Sequence, residues 1–263
     1  MTTMSEQTTD QRPLHERVAA DLRHEILSGI VLPGAALLTA ELRERFATSS
    51  ATVARALHIL REERLVTSCA NMANKAPDSV VIEHRQRTMQ PARSLAPADP
   101  GQPFRWVTEA RRRGVSANCV LLDVKPVPEP PAHVAQALGL NAGNPALLRS
   151  QLLTFDNEPA ALVKAYFPLQ IVHGTAMTEH RKIRGGTSTL LARLGYPPRR
   201  CVDSVSARIP TQEQHALLKL PPNVPVLRTF RVVYSDNDRP VEAHDTVEAG
   251  HLYELQYEFS QVL

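Results

Sequence analysis

Residues 13–66 read PLHERVAADLRHEILSGIVLPGAALLTAELRERFATSSATVARALHILREERLV, and their spacing decides the architecture of the first part of the chain. Leu14, Val18, Leu22 and Ile26 recur every four residues with Ala19 beside them, the apolar stripe of one helix, which stops at Gly29. Pro33-Gly34 marks a turn. Thr39 is placed to cap a short helix carrying Leu42 and Phe46. Ser49 or Ser50 can cap a third, with Val53, Ala56, Leu57 and Leu60 on its buried side. Leu65-Val66-Thr67 and Val80-Val81-Ile82 are short β-like runs, with 71–78 as the loop of a two-stranded wing. Helix, helix, tight turn, helix and wing is the order of a winged helix-turn-helix, whose last helix is narrow enough for the ~12 Å major groove. A small helical bundle without groove contacts satisfies the same spacing.

Outward from this stretch, the chain has 263 residues, 43% hydrophobic and 22% charged, ordinary values for a globular protein of one or two domains. No apolar run reaches the ~18 residues of a membrane span. Residues 1–11 read as a polar tail without a signal-like apolar stretch. Cys69, Cys119 and Cys201 are far apart and form no CxxC, which fits a reducing cytoplasm. The net charge of +3 says little about partners. Residues 12–66 hold eight Arg against seven Asp and Glu, so counterion release on DNA would be small. Aromatic residues at 5% argue against a base-stacking platform for single strands. The stretch 84–103, HRQRTMQPARSLAPADPGQP, has four prolines and no periodicity, and reads as a linker between domains at 12–83 and 104–263.

Beyond the linker, strands and helices alternate. Helical patterns cover 104–113, 131–138 and 187–194, each followed by glycine, and Thr211 to Gln214 spell a capping box. Strand-like runs at 146–155 and 160–167 flank Asp156-Asn157, and runs at 226–234 and 241–247 flank Asp236-Asn237-Asp238, both hairpin signals. With further strands expected at 118–127 and 202–209, the class is α+β, an antiparallel sheet with helices.

Residues 13–66 resemble the N-terminal domain of GntR-type bacterial regulators. The resemblance is carried by Leu22 to Gly29, Pro33-Gly34, Leu37, Phe46, Ser49, Thr52-Val53, Ala56-Leu57, Leu60 and Leu65-Val66. It implies a DNA-binding face drawn from Thr39, Ser49, Ser50, Thr52, Arg55 and His58, with Arg12, Arg43, Arg45 and Arg61 near phosphates. Two positions that are arginine in the family hold Ser50 and Ala54, and the glycine-rich wing tip is replaced. The second segment is similar to the UTRA effector domain of the HutC branch, through Leu138-Gly139-Leu140, Glu158-Pro159, Tyr166, Pro168, 190–194, Pro225-Val226-Leu227, Arg231, Arg239 to Glu242, and Tyr253. That resemblance implies a chorismate-lyase-like fold with a ligand cavity between sheet and helices.

Gln151 and Leu153 stand where sugar-phosphate-sensing relatives carry arginines, and Val163 where they carry a glutamate. Of a late R-G-D-R-Y motif only Gly250 and Tyr253 remain. A buried phosphate needs paired donors, so the expected ligand is small, non-phosphorylated, and neutral or apolar. The ligand-binding set is Gln151, Leu153, Val163, Arg231, Glu242, His244 and Tyr253, with Glu242 and His244 on one strand face.

No hydrolase, metalloprotease, P-loop or dinucleotide motif is present, and no catalytic residue, metal or cofactor is expected. Gly185-Gly186-Thr187-Ser188 could cradle an anion or simply begin a helix. Glu242-His244 could be an acid/base pair or neutral pocket groups. The expected function is ligand-responsive transcriptional regulation by a homodimer on double-stranded DNA. Two alternatives stay open: an enzyme or ligand-binding protein on this frame that has lost DNA binding, and a dimerising partner of another regulator.

Overall fold

The computed structural model describes residues 10–68, 80–82, 86–91, 96–99 and 101–259, and the chain divides between Gln86 and Arg87 into two compact units. The loop expected at 71–78 lies outside the described residues.

In the first unit, helix α1 (Leu14–Leu27) and helix α3 (Ser50–Glu62) pack against each other and against α2 (Thr39–Arg45). Their apolar stripes meet: Val18, Ala19, Leu22 and Ile26 join Leu42, Val53, Ala56, Leu57 and Leu60 in one cluster. Ser49 caps α3, its hydroxyl accepting from the Thr52 amide at 3.2 Å. Thr39 does not cap α2 as expected. Leu38 holds the cap position in extended backbone, and Thr39 is already the first helical residue. The apolar pattern locates a helix to within a turn, whereas its first residue depends on local dihedrals. Strands β1 (Ala36–Leu37), β2 (Val66–Ser68) and β3 (Val80–Ile82) form a three-stranded antiparallel sheet in the order β1-β3-β2. The wing is therefore one strand larger than two runs implied, because the short segment after Pro33-Gly34 supplies an edge.

The second unit begins with strand β4 (Arg87–Met89), inside the stretch expected to be a linker. It pairs in parallel with β11 (Tyr253–Leu255), a partner 166 residues away in sequence that local composition cannot reveal. Helix α4 (Arg105–Arg112) follows, then β5 (Ala117–Val127), α5 (Ala132–Leu138), β6 (Ala146–Phe155) and β7 (Glu158–Pro168). Next come α6 (Leu169–Val172), α7 (Gly186–Arg193), β8 (Arg200–Arg208), α8 (Gln212–Leu217), β9 (Val226–Tyr234) and β10 (Pro240–Ala249). Six strands make one antiparallel sheet, β5-β6-β7-β10-β9-β8. Asp156 and Asn157 both take left-handed backbone between β6 and β7, the geometry a two-residue hairpin needs. The expected capping box opens α8: Gln214 N–H donates to Thr211 Oγ1 at 3.2 Å and Thr211 N–H to Gln214 Oε1 at 3.0 Å.

The sheet separates two apolar layers. On one face α5 lays Val134 and Leu138 over Leu148, Tyr166 and Ala243. On the other, Trp106, Val107 and Ala110 of α4 and Leu191 of α7 join Leu147, Leu153, Phe167 and Val233. Gly250 is required by close packing: a Cβ there would lie 2.4 Å from the Pro225 carbonyl oxygen, which also accepts the Gly250 N–H at 3.1 Å. No described helix is long and apolar enough to cross a membrane.

Candidate ligand cavity and groove-facing helix

Strand register sets out the residues of one sheet face as a grid. Arg149 of β6, Ala165 of β7, His244 of β10, Arg231 of β9 and Asp203 of β8 lie in one row. The next row holds Gln151, Val163, Thr246, Thr229 and Val205, and the third Leu153, Ala161, Glu248, Leu227 and Ala207. Neighbours in a row are about 4.8 Å apart and alternate residues along a strand about 6.7 Å. Over this face lies a cavity of about 110 Å³, room for several water molecules or a compact organic group. All seven residues of the expected ligand-binding set line it: Gln151, Leu153, Val163, Arg231, Glu242, His244 and Tyr253.

Others on its wall were not singled out from the sequence. Arg149, Thr229 and Glu248 share the sheet face, and the signal for them is strand alternation, two residues from Gln151 and Arg231 and four from His244. Phe104, Trp106, Glu109 and Thr187 come from helices or their edges, and Met89 from the strand hidden in the supposed linker. Trp106 stacks on Phe155 at 5.2 Å, and Phe155 lies 5.0 Å from Tyr253, an aromatic wall.

The two arginines of the cavity are both engaged. Arg231 forms a two-pronged pair with Asp203, Nε to Oδ1 and Nη2 to Oδ2, each 2.6 Å, and its Nη1 donates to the Pro91 carbonyl at 3.1 Å. Burial is the largest single influence and would lift the Asp203 carboxyl, but the hydrogen bonds and charge of Arg231, with the Tyr257 hydroxyl, together hold Asp203 below the usual carboxylate range. Tyr257 adds a hydroxyl donor to Asp203 at 3.0 Å. Arg149 is fully buried, and among the described residues no carboxylate pairs with it. It donates to three carbonyls, those of Met177 at 2.5 Å, Glu179 at 3.0 Å and Arg181 at 2.6 Å, while its Nε has no hydrogen-bond partner.

The carboxyls differ in the same way. Glu242 is 1% exposed, accepts from Thr187 Oγ1 at 2.9 Å, and lies 2.7 Å from His244 Nε2. Glu109 pairs with Arg113 at 3.0 Å. Glu248 accepts from Thr229 Oγ1 at 3.3 Å, its one side-chain donor among the described residues. Burial pushes its carboxyl up to about 8, against smaller lowering by Thr229 and Arg231. At Gly186 the Phe104 ring fills the open side, where a Cβ would lie 2.7 Å from Phe104 Cδ2, and the Gly186 N–H donates to the Ile183 carbonyl at 3.0 Å.

In the first unit the solvent face of α3 presents Ser50, Ala51, Ala54, Arg55 and His58. Arg55 is exposed, and His58 is 3.5 Å from Glu62. Ser49 and Thr52 are tied to each other at the helix start, with their hydroxyl oxygens 3.0 Å apart, and Thr39 is half-buried at the start of α2. Of the arginines expected near phosphates, Arg45 pairs with Glu25, Arg12 with Asp10, and Arg61 donates to the Leu57 carbonyl. Arg43 is exposed.

Comparisons with known proteins agree with both units. Residues 14–71 match the model of bacterial regulatory proteins of the gntR family, and 112–254 match the UTRA domain. The chain is 24% identical over 251 residues to the HTH-type transcriptional regulator GgaR of Escherichia coli (strain K12), covering 89% of this chain and 86% of GgaR. It is 30% identical over 131 residues to the uncharacterized HTH-type transcriptional regulator SCO4628 of Streptomyces coelicolor, about half of each chain (49% and 49%). The fold is similar to that of PhnF from Mycobacterium smegmatis, with TM-score 0.55 and 20% identity over 92% of this chain and 100% of that one. The effector domain of PhnF alone gives TM-score 0.54 at 22% identity, covering 63% and 99%. The chain therefore belongs to the GntR family of bacterial regulatory proteins, as a transcriptional regulator that joins a helix-turn-helix unit to a UTRA domain.

Proposed function

We propose that this regulator responds to a small, non-phosphorylated molecule held in the UTRA cavity, and that occupancy alters its grip on double-stranded DNA. One observation carries the reading: the cavity's two arginines are both engaged by groups of the protein, so a buried phosphate would find no free guanidinium there. The mechanism is linkage. A ligand that binds one arrangement of the two units better than another shifts the population toward it. In a homodimer in the cytoplasm, that shift changes the spacing of two α3 helices over operator half-sites. Ser50, Arg55 and His58 face the groove, while Ser49 and Thr52 hold the helix start.

A mobility-shift titration on the upstream intergenic DNA tests this, at several salt concentrations and with and without a metabolite extract. The expected result is binding tighter than to random duplex, altered by the extract. Equal affinity for both duplexes overturns it. A second reading rests on Ser50 and Ala54, which leave α3 with Arg55 and Arg61 as its exposed arginines. It holds that DNA binding is lost and the cavity serves an enzyme or binding protein. Activity surviving deletion of residues 1–83 would favour that reading.

A further inference from the structure

We propose that the cavity recognises an organic cation, a protonated amine on a compact apolar body, whose ammonium group pairs with the Glu248 carboxylate. The inference rests on reading this cavity as the ligand site, and it names the class of ligand.

Glu248 is 6% exposed and lines the cavity. Among the described residues, no Lys, Arg or His lies within ion-pair distance of it, and the Thr229 hydroxyl is its one side-chain hydrogen-bond donor. A carboxyl buried with only a hydroxyl partner is left short of positive charge. Of the other charged groups over this sheet face, Arg231 pairs with Asp203 and Glu109 with Arg113, Arg149 donates to three carbonyls, and Glu242 accepts from Thr187 with His244 Nε2 2.7 Å away. An acidic ligand therefore finds the cavity's guanidinium groups taken, and an ammonium ion finds a carboxyl without a cation. The walls suit the rest of such a molecule. Trp106, Phe104 and Tyr253 offer ring faces, and Leu153, Val163 and Met89 offer apolar surface.

The charged and titratable groups around Glu248 are Arg231 from β9 and Asp203 behind it, Tyr253 and Tyr257 from the C-terminal segment, Glu242 and His244 further along β10, Glu109 from α4 and Arg149 from β6. Of these, Arg231 and Asp203 neutralise each other, and burial raises both tyrosine hydroxyls, so they stay protonated. Glu248 itself, pushed up to about 8, carries its proton at pH 7. Binding then exchanges one cation for another: the ammonium enters, the Glu248 proton leaves to the buffer, and an ion pair remains.

Calorimetry on the full chain tests this with phenethylamine, cyclohexylamine and isopentylamine, each against its isosteric alcohol and carboxylate. At least one amine is expected to bind ten-fold or more tightly than both of its isosteres. Its affinity should rise by up to ten-fold per pH unit from pH 6 to 8. Runs in buffers of different ionisation enthalpy at pH 7 should show about one proton released per ligand. The E248Q variant, close in shape to the protonated carboxyl, should lose at least ten-fold in amine affinity together with the pH slope. The wild-type proton release needs no variant. Carboxylates or alcohols binding as well as amines, a flat pH profile, or no binding by any of the three amines overturns the proposal. If the extract alters DNA binding while all amines fail, the cation is wrong and ligand-responsive regulation stands. Absence of DNA binding sinks the regulatory reading whatever calorimetry returns.

Discussion

The two units handle charge in opposite ways. In the first, the core of α1, α2 and α3 is apolar and the pairs of Arg45 with Glu25 and Arg12 with Asp10 lie outside it; its one buried carboxylate among the described residues, Glu63, is met by a half-exposed Arg23 at 2.6 Å. In the second, Arg149, Arg231, Glu242 and Glu248 are each 8% exposed or less, inside the layer that also holds the apolar core. Exposed pairs contribute little to stability and leave a helix face available to another molecule. Buried charges are costly unless complemented, so each needs a partner supplied by the fold or from outside. The difference separates a surface that meets a polyanion from an interior that selects a small molecule.

The largest effect should follow from breaking the buried pair. Asp203→Ala leaves a buried Arg231 without its carboxylate, and urea unfolding should show a loss of about 4 kcal/mol. A loss below ~1 kcal/mol would mean that water reaches the guanidinium and that the two units differ less than their burial implies. Arg149→Met should lose about 2 kcal/mol in the same measurement, because it orphans the carbonyls of Met177, Glu179 and Arg181 while also removing an uncompensated charge. A neutral outcome would show those carbonyls to be hydrated.

Glu248 gives the comparison a pH axis. Its folded carboxyl sits near 8 against an ordinary value of 4.5, so the folded state holds the proton more tightly than the unfolded chain. Wild-type stability should therefore fall as pH rises from 4.5 through 8, with a slope of up to about 1.4 kcal/mol per pH unit from this group. In the absence of ligand, Glu248→Gln should flatten that part of the profile. Parallel profiles for the two proteins would place the carboxyl in contact with solvent.

The first unit should respond more weakly. Ser49→Ala removes the α3 cap, at about 1 kcal/mol by thermal unfolding. Glu25→Ala removes a pair whose arginine side chain is 50% exposed, and should change stability by less than ~1 kcal/mol. If Glu25→Ala matched Asp203→Ala, the contrast between exposed and buried charge would fail.

Much of this was legible before any coordinates. The four-residue recurrence of α1 and the stripe of α3 bury the residues that periodicity chose, since a helix has one way to turn such a stripe inward. Strand alternation did the same for the cavity. Glu242 and His244 had to share a face, and the same period carried to Glu248 places that carboxyl on it too. Thr39 was misplaced by one position because a cap depends on dihedrals, not on composition. The stretch 84–103 was misread because what makes 87–89 a strand is Tyr253–Leu255, and pairing over that separation leaves no local trace. Trp106 and Phe104 were missed for the same reason, since only packing carries α4 over the sheet.

Hydrophobic period, turn residues and the order of elements determined the winged helix-turn-helix, the antiparallel sheet and the face each strand residue occupies, because those follow from backbone geometry repeated locally. Which charges are complemented was decided by tertiary structure alone. Arg231 meets Asp203 across a strand boundary, Arg149 meets carbonyls some thirty residues away, and Glu248 meets a hydroxyl and no cation. Electrostatic pairing depends on distances of a few ångströms between elements remote in sequence, and no local pattern encodes them.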